Sequence, residues 1–271
     1  MKPSVEFRDV SIRFAGGYAD LFSAISFDIH PGEVVVLAGP NGCGKSTILR
    51  LIAGMLRPTR GTVCVFGADP AAAQRTPEVG LIVEPFHPQQ STLPVSLTGT
   101  EVLNWVRQLD EVCADHARQL GEALHLSGPL MARPINRMSK GERQRVLLMV
   151  VLLRKPRLIL ADEPLDGLDS TSRKLISEQL RTYTADEQQS VLWVSHHLSE
   201  TLPFVDRFLE VDGATIVTRP LRRFQVTHGT AGEESRTTIL NSLDGLGIIA
   251  AEELRHTNVA HLQVHSLDDV E

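Results

Sequence analysis

A mixed α/β fold with a mainly parallel core sheet is predicted by three short apolar runs, each ending in polar chemistry. Residues 33–38 lead into Gly39-Pro40-Asn41-Gly42-Cys43-Gly44-Lys45-Ser46-Thr47, residues 158–161 into Asp162-Glu163, and residues 191–194 into Ser195-His196-His197. Ligands of open α/β sheets bind beyond the carboxyl ends of the strands, so three such ends predict one shared site.

Along the chain, Val5-Glu6-Phe7 and Ile25-Ser26-Phe27-Asp28-Ile29 alternate apolar and polar residues, as half-buried strands do. Pro31-Gly32 makes a turn before the first apolar run. The nonapeptide from Gly39 to Thr47 fits G-x-x-x-x-G-K-[ST] without a mismatch and is followed by the helical pattern of residues 48–53. In strand–loop–helix context this is a phosphate-binding loop. Its glycines let successive N–H groups converge on one anion, and the helix N-terminus adds its positive end. Lys45 is placed to reach β- and γ-phosphates, and the Ser46 hydroxyl to ligate Mg²⁺. Binding of a nucleoside triphosphate is the expected consequence.

Pro58-Thr59-Arg60-Gly61 turns the chain into a strand over residues 62–66, and Pro85, Pro88 and Pro94 mark a loop between subdomains. From Thr98 to about Leu130 the spacing of Val102, Leu103, Val106 and Leu109 is helical, with Trp105 expected in the core. Asp162 ends a strand of Leu and Ile, where an aspartate can hold Mg²⁺ directly or through water. The adjacent Glu163 points elsewhere and can polarise an attacking water as general base. Beyond Gly213 a small α+β appendage is expected: strands over 224–227, 247–251 and 260–264, and a helix over 233–243.

Composition sets limits. Hydrophobic residues at 42% and charged residues at 22% describe an ordinary globular chain, and a net charge of −6 argues against general nucleic-acid affinity. The longest apolar run, residues 146–153, has eight residues against the ~20 that span a bilayer, so it is expected as one buried helix and any membrane role must come through a partner. The N-terminus lacks a signal-peptide core, and Cys43, Cys64 and Cys113 are too dispersed for a disulfide framework or zinc site. A reducing cytoplasm is the expected compartment.

Between the phosphate loop and the acidic pair lies Met138-Ser139-Lys140-Gly141-Glu142-Arg143-Gln144-Arg145, whose Ser139 stands 23 residues before Asp162. This run resembles the signature motif of ATP-binding cassette (ABC) proteins, usually L-S-G-G-Q followed by a basic-glutamine-basic run. Leu165-Asp166-Gly167-Leu168-Asp169 is similar to the family's D-loop and His196 to its switch histidine. Glu84 holds the Q-loop position, and Phe14, 25 residues before Gly39, stands where an aromatic stacks on adenine. The resemblance covers residues 4–212 in six ordered motifs.

The resemblance implies a P-loop NTPase of ABC type. Residues 1–212 would be an ATP-binding domain with an antiparallel β subdomain and a helical subdomain at about 86–140, and residues 213–271 the appendage. It implies ATP hydrolysis with Mg²⁺, Glu163, His196 and Lys45 serving catalysis, and Ser46, Asp162 and Glu84 the metal. It also implies a head-to-tail pair, expected as a homodimer, in which Ser139, Lys140, Gly141 and Glu142 meet the γ-phosphate held by the other cassette. Separate membrane-spanning permease subunits would be the partners, docked near residues 84–110, with Phe86 and His87 as candidates. The chain would then sit peripherally on the cytoplasmic face of the membrane. Glu84, the MSKGERQRV form of the signature, the Ser195-His196-His197-Leu198 run and the appendage look more like export than import subunits. Three residues depart from the family pattern: Lys140 replaces a glycine, Glu142 a glutamine and Glu84 a glutamine. Glu142 places negative charge near an anion unless its side chain faces away. A soluble ABC-type ATPase of assembly is the alternative. A small-molecule P-loop kinase conflicts with the signature.

Overall fold

The structure is a computed structural model that describes residues 2–14, 19–73, 78–83, 93–94, 96–110, 113–186, 188–195, 201–219, 221–229, 236–243 and 261–266. Strands β1 (Val5–Ile12) and β2 (Phe22–Ile29) pair antiparallel, with Phe7 opposite Phe27 and their rings stacked at 4.3 Å. Strand β3 (Val34–Ala38) is buried at every residue, as its unbroken Val/Leu/Ala run requires of a central parallel strand. It leads through the phosphate loop into helix α1 (Lys45–Ile52). Strand β4 (Arg60–Val65) returns to β1 and completes a three-stranded sheet of order β2-β1-β4. A single turn, α2 (Pro70–Ala73), precedes β5 (Val79–Val83).

The helical segment comprises α3 (Gly99–Asp110), α4 (Ala114–Ala123), α5 (Gly128–Met131) and α6 (Lys140–Leu153). The apolar run at 146–153 is indeed one buried helix within α6. Trp105 departs from expectation: it is 51% exposed. The inward stripe of α3 runs through Val102, Leu103 and Val106, and Trp105 falls beside it rather than on it. Among the described residues no helix is long and apolar enough to cross a membrane.

Strand β6 (Leu158–Asp162), helix α7 (Ser170–Tyr183), and strands β7 (Ser190–Val194), β8 (Arg207–Asp212) and β9 (Thr215–Arg219) complete the core. The central sheet has the order β5-β6-β7-β3-β8-β9, parallel except for the β8–β9 hairpin. It runs on through Arg219, past residue 212, where the sequence places the start of the appendage. Alternate residues of its strands feed two cores. Val35, Leu37, Leu160 and Leu192 pack under α1 and the antiparallel sheet, whereas Val36, Ile159, Ala161 and Trp193 pack against the helices.

Three further strands, β10 (Leu221–Gly229), β11 (Arg236–Leu243) and β12 (His261–Ser266), form a separate antiparallel sheet of order β11-β10-β12. Where the helix expected over 233–243 is described, at Arg236–Leu243, it is therefore a strand. Thr237, Thr238 and Ile239 are β-branched and pair across to β10 at Thr227, Val226 and Gln225. The strand expected at 247–251 lies outside the described residues.

Candidate functional site

The parallel register levels the strand ends that carry the chemistry: Val194 of β7 is opposite both Leu37 of β3 and Asp162 of β6. The phosphate loop and the acidic pair thus leave the sheet at the same level, from strands on either side of β7. Two glycines are needed on steric grounds. Gly39 has φ +146, and a Cβ there would stand 2.9 Å from the Cys43 Sγ. Gly44 has φ +105, and its Cβ would meet the Phe22 ring at 2.5 Å. Gly44 caps α1 without a side-chain hydrogen bond, so the first N–H groups of that helix are available to an anion.

Lys45 is almost fully buried and donates to the carbonyl oxygens of Gly39 (2.8 Å) and Pro40 (3.0 Å). The loop's own carbonyls thus hold the ammonium. The Ser46 hydroxyl donates to Asp162 Oδ2 at 3.0 Å, across 116 residues of sequence. Asp162 is itself buried, and burial pushes its carboxyl above the ordinary carboxylate range. The hydrogen bond from Ser46 opposes that shift, the charge of Glu163 adds to it, and Lys45 offsets part. Two oxygens facing each other in a buried carboxylate site suit a hard cation such as Mg²⁺.

Glu163 follows directly with φ 47, a left-handed conformation that side chains rarely adopt. Its N–H donates to Val194 O (3.0 Å) and its carbonyl accepts from Asp166 N (3.1 Å), so the strained residue is pinned at both ends. Nothing in the sequence signalled this strain.

The signature run opens α6. Ser139 is the N-cap: its hydroxyl accepts from Glu142 N (3.2 Å), and Glu142 Oε2 accepts from Ser139 N (2.6 Å), a complete capping box. Glu142 also pairs with Arg133 at 3.2 Å. Its carboxylate is therefore turned back onto its own helix and partly neutralised, which removes the repulsion that its replacement of glutamine would create. Hydrogen bonding from the Ser139 backbone holds the Glu142 carboxyl below the usual carboxylate range. The sign follows. This contribution is present above the unfolded carboxylate pKa and is lost as pH falls through the lowered folded value. Glu142→Ala is expected to lower stability by about 1 kcal/mol at neutral pH, and Glu142→Gln by less, with the Ala deficit shrinking in acid. Urea unfolding at several pH values measures it.

Asp169 is the N-cap of α7, with Oδ1 accepting from Ser172 N (2.9 Å) and Oδ2 from the Ser172 hydroxyl (2.8 Å). Phe14 is 49% exposed, a bare aromatic face at the end of β1. Glu84, Phe86, His87, His196 and His197 lie outside the described residues. Cys43, half-buried inside the loop, makes an accessible test of where nucleotide binds. Its alkylation by N-ethylmaleimide is expected to abolish ATP binding, and ATP to slow alkylation in proportion to occupancy. Equal rates with and without ATP would place the nucleotide elsewhere.

The ABC transporter family model matches residues 22–166. Relatives include the lipoprotein-releasing system ATP-binding protein LolD 1 of Rhodopirellula baltica, 32% identical over 74% of this chain and 90% of that protein. They also include the iron(III) import ATP-binding protein FbpC of Photorhabdus laumondii, 30% identical over 79% of this chain but 60% of that protein. The molybdenum import ATP-binding protein ModC of Rhodobacter capsulatus is 35% identical over 76% of this chain and 57% of that protein, so the chain spans only somewhat over half the length of these import proteins. Among solved structures, an ATP-binding subunit of an ABC transporter superposes with a TM-score of 0.67 at 25% identity, covering 79% of this chain and 89% of that one. An ATP-binding cassette solved as a dimer with ADP and Pi shares the fold with a TM-score of 0.65 at 24% identity, covering 78% of this chain and 96% of that one. With a family model matching more than half of its length, this chain belongs to the ABC transporter family.

Proposed function

We propose that the chain is the ATP-binding and ATP-hydrolysing subunit of a transporter, pairing head-to-tail with a second cassette and acting on separate membrane-spanning subunits. The observation that carries the reading is the Ser46–Asp162 contact at 3.0 Å, with Lys45 and Glu163 on the residues beside it. Lys45 leaves the Gly39 and Pro40 carbonyls for the β- and γ-phosphates. Ser46 and Asp162 would hold Mg²⁺, which when bound would neutralise charge on the phosphates. Glu163 orients the attacking water and takes its proton. Phe14 stacks on adenine. His196 and Glu84 keep the roles that the family resemblance gives them, beside the γ-phosphate and the metal.

Ser139, which opens a helix of 14 residues, is exposed in the single chain, as a site completed by a second cassette requires. A homodimer is the simplest pairing, because Glu163 and the signature both stand in this one sequence. The membrane partner accounts for a cassette whose described helices do not cross a bilayer, and it places the chain at the cytoplasmic face. The named relatives import iron(III) or molybdenum or release lipoproteins, so the reading is ATP-coupled transport. The export expected from sequence has only the signature form, Glu84, the run after Ser195 and the appendage in its favour.

Size-exclusion chromatography of Glu163→Gln with and without MgATP tests the pairing. A shift from monomer to dimer on ATP is expected. An unchanged elution volume, with ATP binding verified, would overturn pairing as a property of this chain alone.

A further inference from the structure

The family pattern has glycine at the position of Lys140, and the structure shows what the added side chain does. Lys140 is the first residue of α6, and its ammonium lies 3.4 Å from Asp166 Oδ2. Its stem crosses the backbone of Gly167, where a Cβ would stand 2.8 Å from the Lys140 Nζ and 3.3 Å from Cδ. Gly167, at φ +65, thus serves both the turn and the seat of the lysine. The neighbouring Gly141 makes a second close approach: a Cβ there would lie 3.1 Å from the Ser172 hydroxyl and 3.7 Å from Asp169 Oδ2. Consecutive signature residues therefore rest on both ends of the 166–169 segment. That segment is joined to the catalytic strand end through the hydrogen bond from Asp166 N to Glu163 O, 3.1 Å.

We propose that Lys140 is a positioning residue that ties the signature turn to the segment carrying Glu163. A nucleotide held by the opposing cassette and closing on Ser139 and Gly141 is thereby registered at this chain's own Glu163. The inference rests on the head-to-tail reading above. Magnitude separates it from a stabilising role. The Lys140 and Asp166 side chains are 33% and 46% exposed, and such surface pairs add little to folding stability. What the pair supplies is position: it joins an element used by the opposing site to the turn that holds the general base in a strained conformation.

The test compares Lys140→Met, Asp166→Asn, the double variant and the charge swap Lys140→Asp/Asp166→Lys in the full chain, measuring kcat and KM for MgATP. Each single change is expected to lower kcat about threefold to tenfold with KM held within about twofold. The double should fall no further than the worse single, and the swap should recover most of the loss. Multiplying losses in the double variant would overturn the proposal. So would a raised KM in Lys140→Met alongside a lowered KM in Asp166→Asn, the signature of a lysine that binds phosphate directly and is restrained by Asp166. A wild-type chain without ATP turnover would instead count against the ATPase reading, and the tie is then decided in the nucleotide-free protein. Amide exchange at residues 166–168 should quicken about twofold to fivefold in Lys140→Met. Unchanged exchange would sink the tie by itself.

Discussion

Replacing Glu163 by glutamine is expected to lower ATP turnover by roughly two to four orders of magnitude while leaving ATP binding intact, the range associated with loss of a positioned general base. Glutamine keeps the shape and the backbone contacts to Val194 and Asp166, so the fold has no reason to respond. Steady-state phosphate release and nucleotide binding on the same preparation separate the two effects. Undiminished turnover would remove Glu163 from the chemistry. The backbone adds a second, independent test. A non-glycine residue at φ 47 costs of order 1–2 kcal/mol, a strain that the pinned turn sustains. Glu163→Gly should therefore be more stable than Glu163→Ala by about 1 kcal/mol, the reverse of the usual order in regular structure. Both variants should be equally inactive. Glycine more stable than alanine at this position would show that the backbone carrying the general base is held strained.

The phosphate loop and the acidic pair were legible because their chemistry is local: a fixed spacing of glycines, lysine and hydroxyl, and carboxylates at an apolar strand end. Parallel strands announced themselves for the same reason, since burial on both faces forces unbroken apolar runs such as Val34–Ala38. What escaped depends on partners distant in sequence or on backbone angles. The orientation of Glu142 is set by a capping box and by Arg133, nine residues away, and only the first of these has a sequence pattern. The left-handed conformation of Glu163 leaves no trace in residue type. The pairing of Lys140 with Asp166 spans 26 residues and follows from the packing of α6 beside α7.

Two misreadings have equally physical causes. Trp105 sits in a helix whose apolar spacing is clear, yet one turn offers several directions and the burial stripe passes beside it. Residues 236–243 contain a β-branched trio that favours a strand, but the flanking glutamates and polar residues blur the period. The strand is fixed only when β10 supplies its partner.

Asp162→Asn is expected to move activity and stability in opposite directions. The carboxylate is buried, its pKa is raised chiefly by that burial, and Glu163 is the neighbouring charge that raises it further. A carboxyl whose folded pKa lies above its unfolded value stabilises the fold only in its protonated form. That stability is complete below the unfolded pKa and is lost as pH rises through the folded one. At neutral pH the ionised Asp162 is therefore a cost to the metal-free protein, and asparagine removes it while its amide oxygen still accepts from Ser46. The variant should melt above wild type near neutrality without Mg²⁺, and the gap should close as the medium is acidified and the wild-type carboxyl takes up its proton. Turnover should fall by at least about 100-fold, because a neutral amide is a poor ligand for a hard divalent cation that contributes several kcal/mol to phosphoryl chemistry. MgATP should also raise the melting temperature of wild type by more than that of the variant, since a ligand stabilises in proportion to its affinity. If the metal-free variant melts below wild type at neutral pH, the hydrogen bond from Ser46 outweighs the burial of charge. The carboxylate would then be a structural anchor as well as a metal ligand. If it melts above, the buried charge is held against its own stability for the cation that Ser46 and Asp162 are placed to share.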